Sequence, residues 1–328
     1  MKIFYAVQAT GNGHISRAME LLPHLEKYGE VDIFLSGANN SLQLDAPIKY
    51  RSKGISLFYN CDGTLSYSKF LKHVQPLHLM KQVRDLPVEK YDLVINDFEA
   101  VTALACAKKK VKSVNFGHQA SFMSPQTPRP EKENKLGEWI LKNYAKASHY
   151  LGLHFESYDD FIYSPVIKSE ILKAEPTDKG YITVYLPSYC DDVLQKIFDK
   201  YRHIQFEIFS HERKRPVTIN NITFIPVNKN DFNTSLINCH GIITGGGFET
   251  PAEALYLNKK IISIPIKGQY EQHCNGAALK KLGVPVINAL TDANFKSLFE
   301  NWLTELNFPK VKFQHSTEMI IESLMKLN

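Results

Sequence analysis

Short apolar runs alternate with amphipathic stretches along the whole chain, the pattern of βαβ units that build a parallel sheet. In the first half, residues 2–9, 31–36, 92–97, 113–117 and 150–154 read as strands. Helical spacing falls between them at 15–28, 70–84, 100–108 and 135–147. The pattern restarts at Tyr181, with strands over 181–186, 204–209, 222–225, 241–244 and 261–264. Helices follow over 192–200, 231–237, 250–256, 271–282 and 292–303. The stretch 164–180 is polar and punctuated by Pro and Gly, as a hinge would be. The expected architecture is therefore α/β, two Rossmann-like domains facing a cleft. Residues 1–167 form the first and 168–314 the second. Met319, Ile320, Ser323, Leu324 and Leu327 lie at helical spacing and predict a terminal amphipathic helix within 315–328.

A chain of 328 residues exceeds what one core usually supports, so composition agrees with two domains. With 44% hydrophobic and 22% charged residues, the sequence is that of a globular protein. The first apolar run meets Gly11 and Gly13 too soon for a signal peptide, and no stretch of ~18 apolar residues suggests a bilayer span. Cys61, Cys106, Cys190, Cys239 and Cys274 are widely spaced with no C-x-x-C pair. They are expected as reduced, small buried hydrophobes in a cytoplasmic protein. The net charge of +5 is modest, but basic residues cluster at 108–112 and 129–135. Such clusters suit an anionic lipid at the inner membrane face or a phosphorylated substrate, and equally a solvated helix end and loop. No nucleic-acid recognition motif is present, so nucleic acid is not an expected partner.

Three segments carry candidate chemistry. Gln8-Ala9-Thr10-Gly11-Asn12-Gly13-His14-Ile15-Ser16-Arg17 follows the first strand, where an open α/β sheet binds its ligands. Gly11 and Gly13 let the backbone approach a ligand, but the third glycine of a dinucleotide fingerprint is missing. A histidine after such glycines can take a proton from an acceptor hydroxyl as a general base, or His14 caps or packs at the helix start. Next, Thr244-Gly245-Gly246-Gly247-Phe248-Glu249-Thr250-Pro251-Ala252-Glu253 turns a strand into a helix whose N-terminus is an anion site. Last, Glu271, Gln272 and Asn275 open a helix one strand later, with Glu271 and Asn275 on one face. In the first half, Asp97 and His118 end neighbouring strands. Asp97 is a candidate to orient His14, and His118 an alternative acid or base; equally, Asp97 caps a helix and His118 is a buried, satisfied histidine. A metal pair from Asp97 and Glu99 is not expected, because carboxylates at i and i+2 diverge along a strand.

The second and third segments together resemble the C-terminal half of GT-B glycosyltransferases. The likeness is to the UDP-glucuronosyltransferase and macrolide glycosyltransferase group and to the family 28 peptidoglycan N-acetylglucosaminyltransferase. It rests on Gly246-Gly247, Thr250, Glu253, Pro265, Glu271-Gln272, Asn275 and Ala277, over about thirty residues. The N-terminal turn of that family has its counterpart in Gly13-His14 and Arg17. The resemblance implies that Gly246, Gly247 and Thr250 meet a diphosphate, that Glu253 binds ribose, and that Glu271 and Gln272 hold the donor sugar. Val227 would face the base through its backbone. It also implies no bound cofactor beyond a nucleotide-sugar co-substrate, with UDP-sugar first, and a terminal helix that returns to the N-terminal domain. Plant-type members have His where Gly245 stands and Asn where Glu249 stands, and a carboxylate at 249 would repel a diphosphate if it faced inward.

The expected function is thus a glycosyltransferase, inverting and metal-independent, in which His14 aligned by Asp97 deprotonates an acceptor hydroxyl. Its acceptor, lipid-linked or glycan, would be read by residues 38–72 and 122–135, where Phe58, Tyr59, Tyr67 and Phe70 can stack on sugar rings or fill a core. The rival readings are a nucleotide-sugar hydrolase, a nonhydrolysing epimerase on the same fold, and a non-catalytic nucleotide-sugar-binding regulator.

Overall fold

β1 (Lys2–Gln8) is buried on both faces, which explains its unbroken apolar run. Ile3, Tyr5 and Val7 face one core and Phe4 and Ala6 the other. A computed structural model describes residues 1–9, 11–37, 44–53 and 76–327. The first sheet continues with β2 (Glu30–Ser36), β3 (Ile48–Ser52), β4 (Leu93–Asp97), β5 (Val114–Gly117), β6 (His149–Leu153) and β7 (Ile162–Tyr163). All its strands are parallel, in the order β3-β2-β1-β4-β5-β6-β7.

The second sheet holds β8 (Ile182–Tyr185), β9 (Phe206–Ser210), β10 (Val217–Ile219), β11 (Ile222–Pro226), β12 (Gly241–Gly245) and β13 (Lys260–Ile264). Its order is β10-β11-β9-β8-β12-β13, and only β10 is antiparallel. The same division of faces recurs here: Ile242 and Ile261 pack toward one core, Ile243 and Ile262 toward the other.

Three strands escape the sequence pattern. β3 and β10 lie at sheet edges with much of their length exposed, and β7 is two residues long, so none carries an apolar run. The stretch read as a polar hinge buries Val166, Ile167 and Ile171 around a short helix at Ser169–Leu172 and is exposed over 175–180. The expectation of reduced cysteines fails at Cys190, which is disulfide-bonded, since wide spacing carries no pairing signal. Cys106, Cys239 and Cys274 are free and buried. Cys61 and the aromatic residues 58, 59, 67 and 70 lie outside the described residues.

The final helix, Thr317–Met325, packs against the helix Asn12–Leu25 at the other end of the chain. Ile320, Ile321 and Leu324 are buried there. Among the described residues, no helix is long and apolar enough to cross a membrane.

Candidate active site

Each sheet has one place where its strand order reverses, and the loops there flank a crevice. In the first sheet this lies between β1 and β4, in the second between β8 and β12. The loop after β1 enters the helix Asn12–Leu25 with Gly11 as its cap, and that after β12 enters the helix Glu249–Tyr256. Neither helix start has a side-chain cap. The two starts face each other so closely that a Cβ on Gly13 would lie 3.1 Å from Glu249 Cγ.

Asp97 ends β4, fully buried, and organises the first half of the site. Arg17 Nη2 donates to both its oxygens, at 2.7 and 2.9 Å, and His14 Nδ1 lies 2.9 Å from Oδ1. His14 Nδ1 also lies 3.0 Å from Arg17 Nη2. Both Nη2 hydrogens are directed at the carboxylate, so we assign the proton to Nδ1, which donates to Asp97. That leaves Nε2 as the acceptor of the ring, 3.5 Å from the Gln119 amide nitrogen. Burial alone would raise the Asp97 pKa, but Arg17 and His14 outweigh it and hold it below its ordinary value. Gly117 is required beside this pair: with φ +132°, its Cβ would meet Asp97 Oδ1 at 2.8 Å and Arg17 Nη2 at 3.0 Å. Asp97 and Glu99 do diverge, as Glu99 turns away to cap the helix Ala100–Lys109 at the amides of Val101 and Thr102.

Across the crevice, Glu249 reaches Arg17 Nη1, so the carboxylate that departs from the plant-type pattern turns to the opposite half. Burial pushes its pKa up to about 7, with Arg17 opposing. Gln119, which the sequence did not single out, joins the halves at a second point. Its Nε2 donates to Glu271 Oε1 at 3.0 Å and lies 3.5 Å from His14 Nε2. Its only sequence signal is its place just after β5, at the cleft end of the sheet.

Several expected roles change. His118 is buried, with Nδ1 3.0 Å from Leu153 O and Nε2 2.6 Å from Asn275 Oδ1, and its ring stacks on Phe248 at 4.0 Å. Burial, against those two hydrogen-bonding contacts, lowers its pKa to about 3. Both nitrogens are enclosed, so His118 is not placed to exchange a proton with substrate. Asn275, buried with it, donates from Nδ2 to Gly246 O at 3.0 Å, so this amide ties the two halves together and does not face a sugar. Gln272 Oε1 is likewise committed, accepting from the amides of Gly246 and Ile266 at 3.1 and 2.9 Å.

The rest of the glycine loop is more open. A Cβ on Gly247 would meet nothing within 4 Å, and Thr250 is half-buried beside it. Glu253 is buried and ion-paired with Lys168 at 3.0 Å; burial raises its pKa and Lys168 opposes that. Val227 follows β11 directly, its amide donating to Ser210 O at 3.2 Å.

A family model for glycosyl transferase family 1 matches residues 1–306. No curated protein matches the chain. Solved structures share the fold. SnogD from Streptomyces nogalater is 14% identical, with a TM-score of 0.55 over 100% of this chain and 99% of that one. VinC, solved with dTDP, is 12% identical with a TM-score of 0.57 over 100% and 99%. Arabidopsis thaliana UGT89C1, solved with UDP-L-rhamnose, is 13% identical with a TM-score of 0.56 over 99% and 93%. At such identities the likeness carries the fold, and the fold is GT-B. The family match spans both sheets and the crevice between them, and so the chain belongs to glycosyl transferase family 1, an enzyme of the glycosyltransferase type.

Proposed function

We propose that the chain transfers a sugar from a nucleotide-diphosphate sugar, UDP-sugar first, to an acceptor hydroxyl, by a single inverting displacement that uses no metal. The observation that carries this reading is the Gln119 amide, which lies between Glu271 of one half and His14 Nε2 of the other. A sugar held at Glu271, in place of the Gln119 amide, would present its anomeric carbon toward His14 Nε2, the ring nitrogen left to accept a proton. The acceptor O–H proton passes to His14 Nε2 while its oxygen bonds to the anomeric carbon. The bond from that carbon to the β-phosphate oxygen breaks, and the nucleoside diphosphate leaves. Asp97 stabilises the imidazolium that forms, in the manner of a base-orienting carboxylate. The helix start at Gly247 and the Arg17 guanidinium offer positive charge to the departing diphosphate.

In this reading residues 168–314 bind the donor, and residues 1–167 with 315–328 present the acceptor. VinC with dTDP and UGT89C1 with UDP-L-rhamnose support the donor class. UGT89C1 has also been solved with quercetin, a molecule bearing hydroxyls, which supports an acceptor of that kind.

Calorimetric titration with UDP, GDP and dTDP, followed by turnover with the corresponding sugars, tests the assignment. Transfer that depends on an added hydroxyl acceptor is expected. Rapid release of free sugar without acceptor would make the chain a hydrolase, and binding without turnover a regulator. His14→Ala is expected to lower kcat by roughly 10²-fold or more with donor affinity retained. A near-normal rate in that variant removes His14 as the base.

A further inference from the structure

Ten large hydrophobic side chains are exposed among the described residues, and three of them share one nine-residue helix, Lys135–Asn143. Leu136 is 66% exposed, Trp139 62% and Ile140 39%. At i, i+3 and i+4 they form one stripe, opposite the side on which Leu141 is buried. Scattered exposed hydrophobics need no explanation, but a contiguous stripe of this kind marks a contact surface.

The charges around the stripe identify what it meets. Lys135 and Lys146 are exposed beside it; Lys142, also exposed, pairs with Glu138 at 3.5 Å, and the exposed carboxylates nearest the helix start are Glu131 and Glu133. The chain has no carboxylate between Glu99 and Glu131, a span that includes exposed Lys108, Lys110 and Lys112. Right-handed crossovers set the helices Ala100–Lys109 and Lys135–Asn143 on the same face of the first sheet. The helix Pro76–Asp85 packs against the former, and Met80 and Leu104 are exposed on these two helices. Arg129, by contrast, is spent internally on Glu138 and on the carbonyls of Phe122 and Thr127, so it adds nothing to that surface.

We propose that this face docks on an anionic bilayer, with Leu136, Trp139 and Ile140 entering the headgroup boundary and the lysines meeting lipid phosphates. An apolar stripe flanked by lysines, with an indole among its apolar groups, has the chemistry of an interfacial helix. A second copy of the chain fits less well, since a two-fold contact would set these lysines against themselves. The other side of the same helix carries Gly137 and Glu138 against Tyr270 of the second half, so docking places the cleft edge at the membrane. That the acceptor hydroxyl is borne on a lipid follows only if the transferase reading holds; the docking itself does not depend on it.

Trp139 is its own reporter, because the only other tryptophan, Trp302, is 5% exposed. Wild-type protein is mixed with phosphatidylcholine vesicles with or without phosphatidylglycerol. Co-sedimentation and a blue shift of tryptophan emission are expected with phosphatidylglycerol, weakened by high salt. The L136E/I140E variant should bind those vesicles about tenfold or more weakly while its UDP affinity, read by calorimetry, is unchanged. Equal vesicle binding by the variant, binding without the emission shift, or no vesicle binding by the wild type overturns the proposal. So does a concentration-dependent dimer that L136E/I140E dissolves, which would make the face a self-interface. Vesicle binding without any nucleotide binding would leave docking standing and remove the donor reading alone.

Discussion

A carboxylate stands at the first position of the helix proposed to receive a diphosphate, and Glu249 crosses to Arg17 of the opposite half. Its burial raises the pKa from 4.5 to about 7, so between those values the folded protein binds a proton that the unfolded chain has released. The stabilising contribution is full below about 4.5 and is lost as pH rises through 7. Wild-type stability should therefore fall between pH 5 and 8 by more than that of Glu249→Gln, a difference on the order of 3 kcal/mol. Urea unfolding at the two pH values checks this, and parallel slopes would refute it. The same ionisation bears on the donor. Above pH 7 an ionised Glu249 opposes a diphosphate, so calorimetry should show UDP affinity falling with pH in the wild type and staying level in Glu249→Gln.

At the scale of elements, the two halves meet through helices that start or pack at the crevice. Phe248 leaves the glycine loop and inserts among His118, His154 and Phe155 of the first half. Tyr270, at the start of the helix Tyr270–Lys281, packs against Gly137 and donates to Glu138 at 2.8 Å. A Cβ on Gly137 would lie 2.4 Å from the Tyr270 ring, so this contact exists only because residue 137 has no side chain. Gly137→Ala should cost about 1–3 kcal/mol or part the two helices. Hydrogen exchange at Gly246, whose carbonyl is tied through Asn275 to His118, would report that separation as faster exchange in the glycine loop. Unchanged exchange and melting temperature would show that the helices accommodate the methyl group.

At the scale of the molecule, the chain closes on itself. Ser164, near the end of the first half, accepts from the amides of Gln314 and His315 through its hydroxyl. The terminal helix then covers the helix that carries His14. Removal of residues 315–328 would uncover the helix Asn12–Leu25 and discard Ile320, Ile321 and Leu324 from the core that the two helices share. At about 1.5–3 kcal/mol for each of the three lost side chains, the N-terminal half should lose on the order of 5 kcal/mol. Circular dichroism melts of the truncated chain would show a drop in Tm, and an unchanged Tm would mean that this helix is not a brace.

The strands buried on both faces, the helices at 3.6-residue spacing and the glycine turns could all be read in order from the sequence. Each is a local consequence of burial period and turn chemistry, and so β1, β4, β5, β8, β12 and β13 fall where the pattern put them. The edge strands could not be read, because a strand half in water has little apolar pattern to show. His14, Asp97 and Glu271 could be named as candidates from their positions at strand ends and helix starts. What each side chain touches was decided only by tertiary structure. Arg17 and Glu249 are 232 residues apart, and Gln119 and Glu271 are 152 apart. The sequence placed Asn275 and Gln272 on a polar helix start. The closed packing of two domains turned Asn275 to His118 and Gln272 to its own glycine loop, because a buried amide must find partners wherever the fold supplies them.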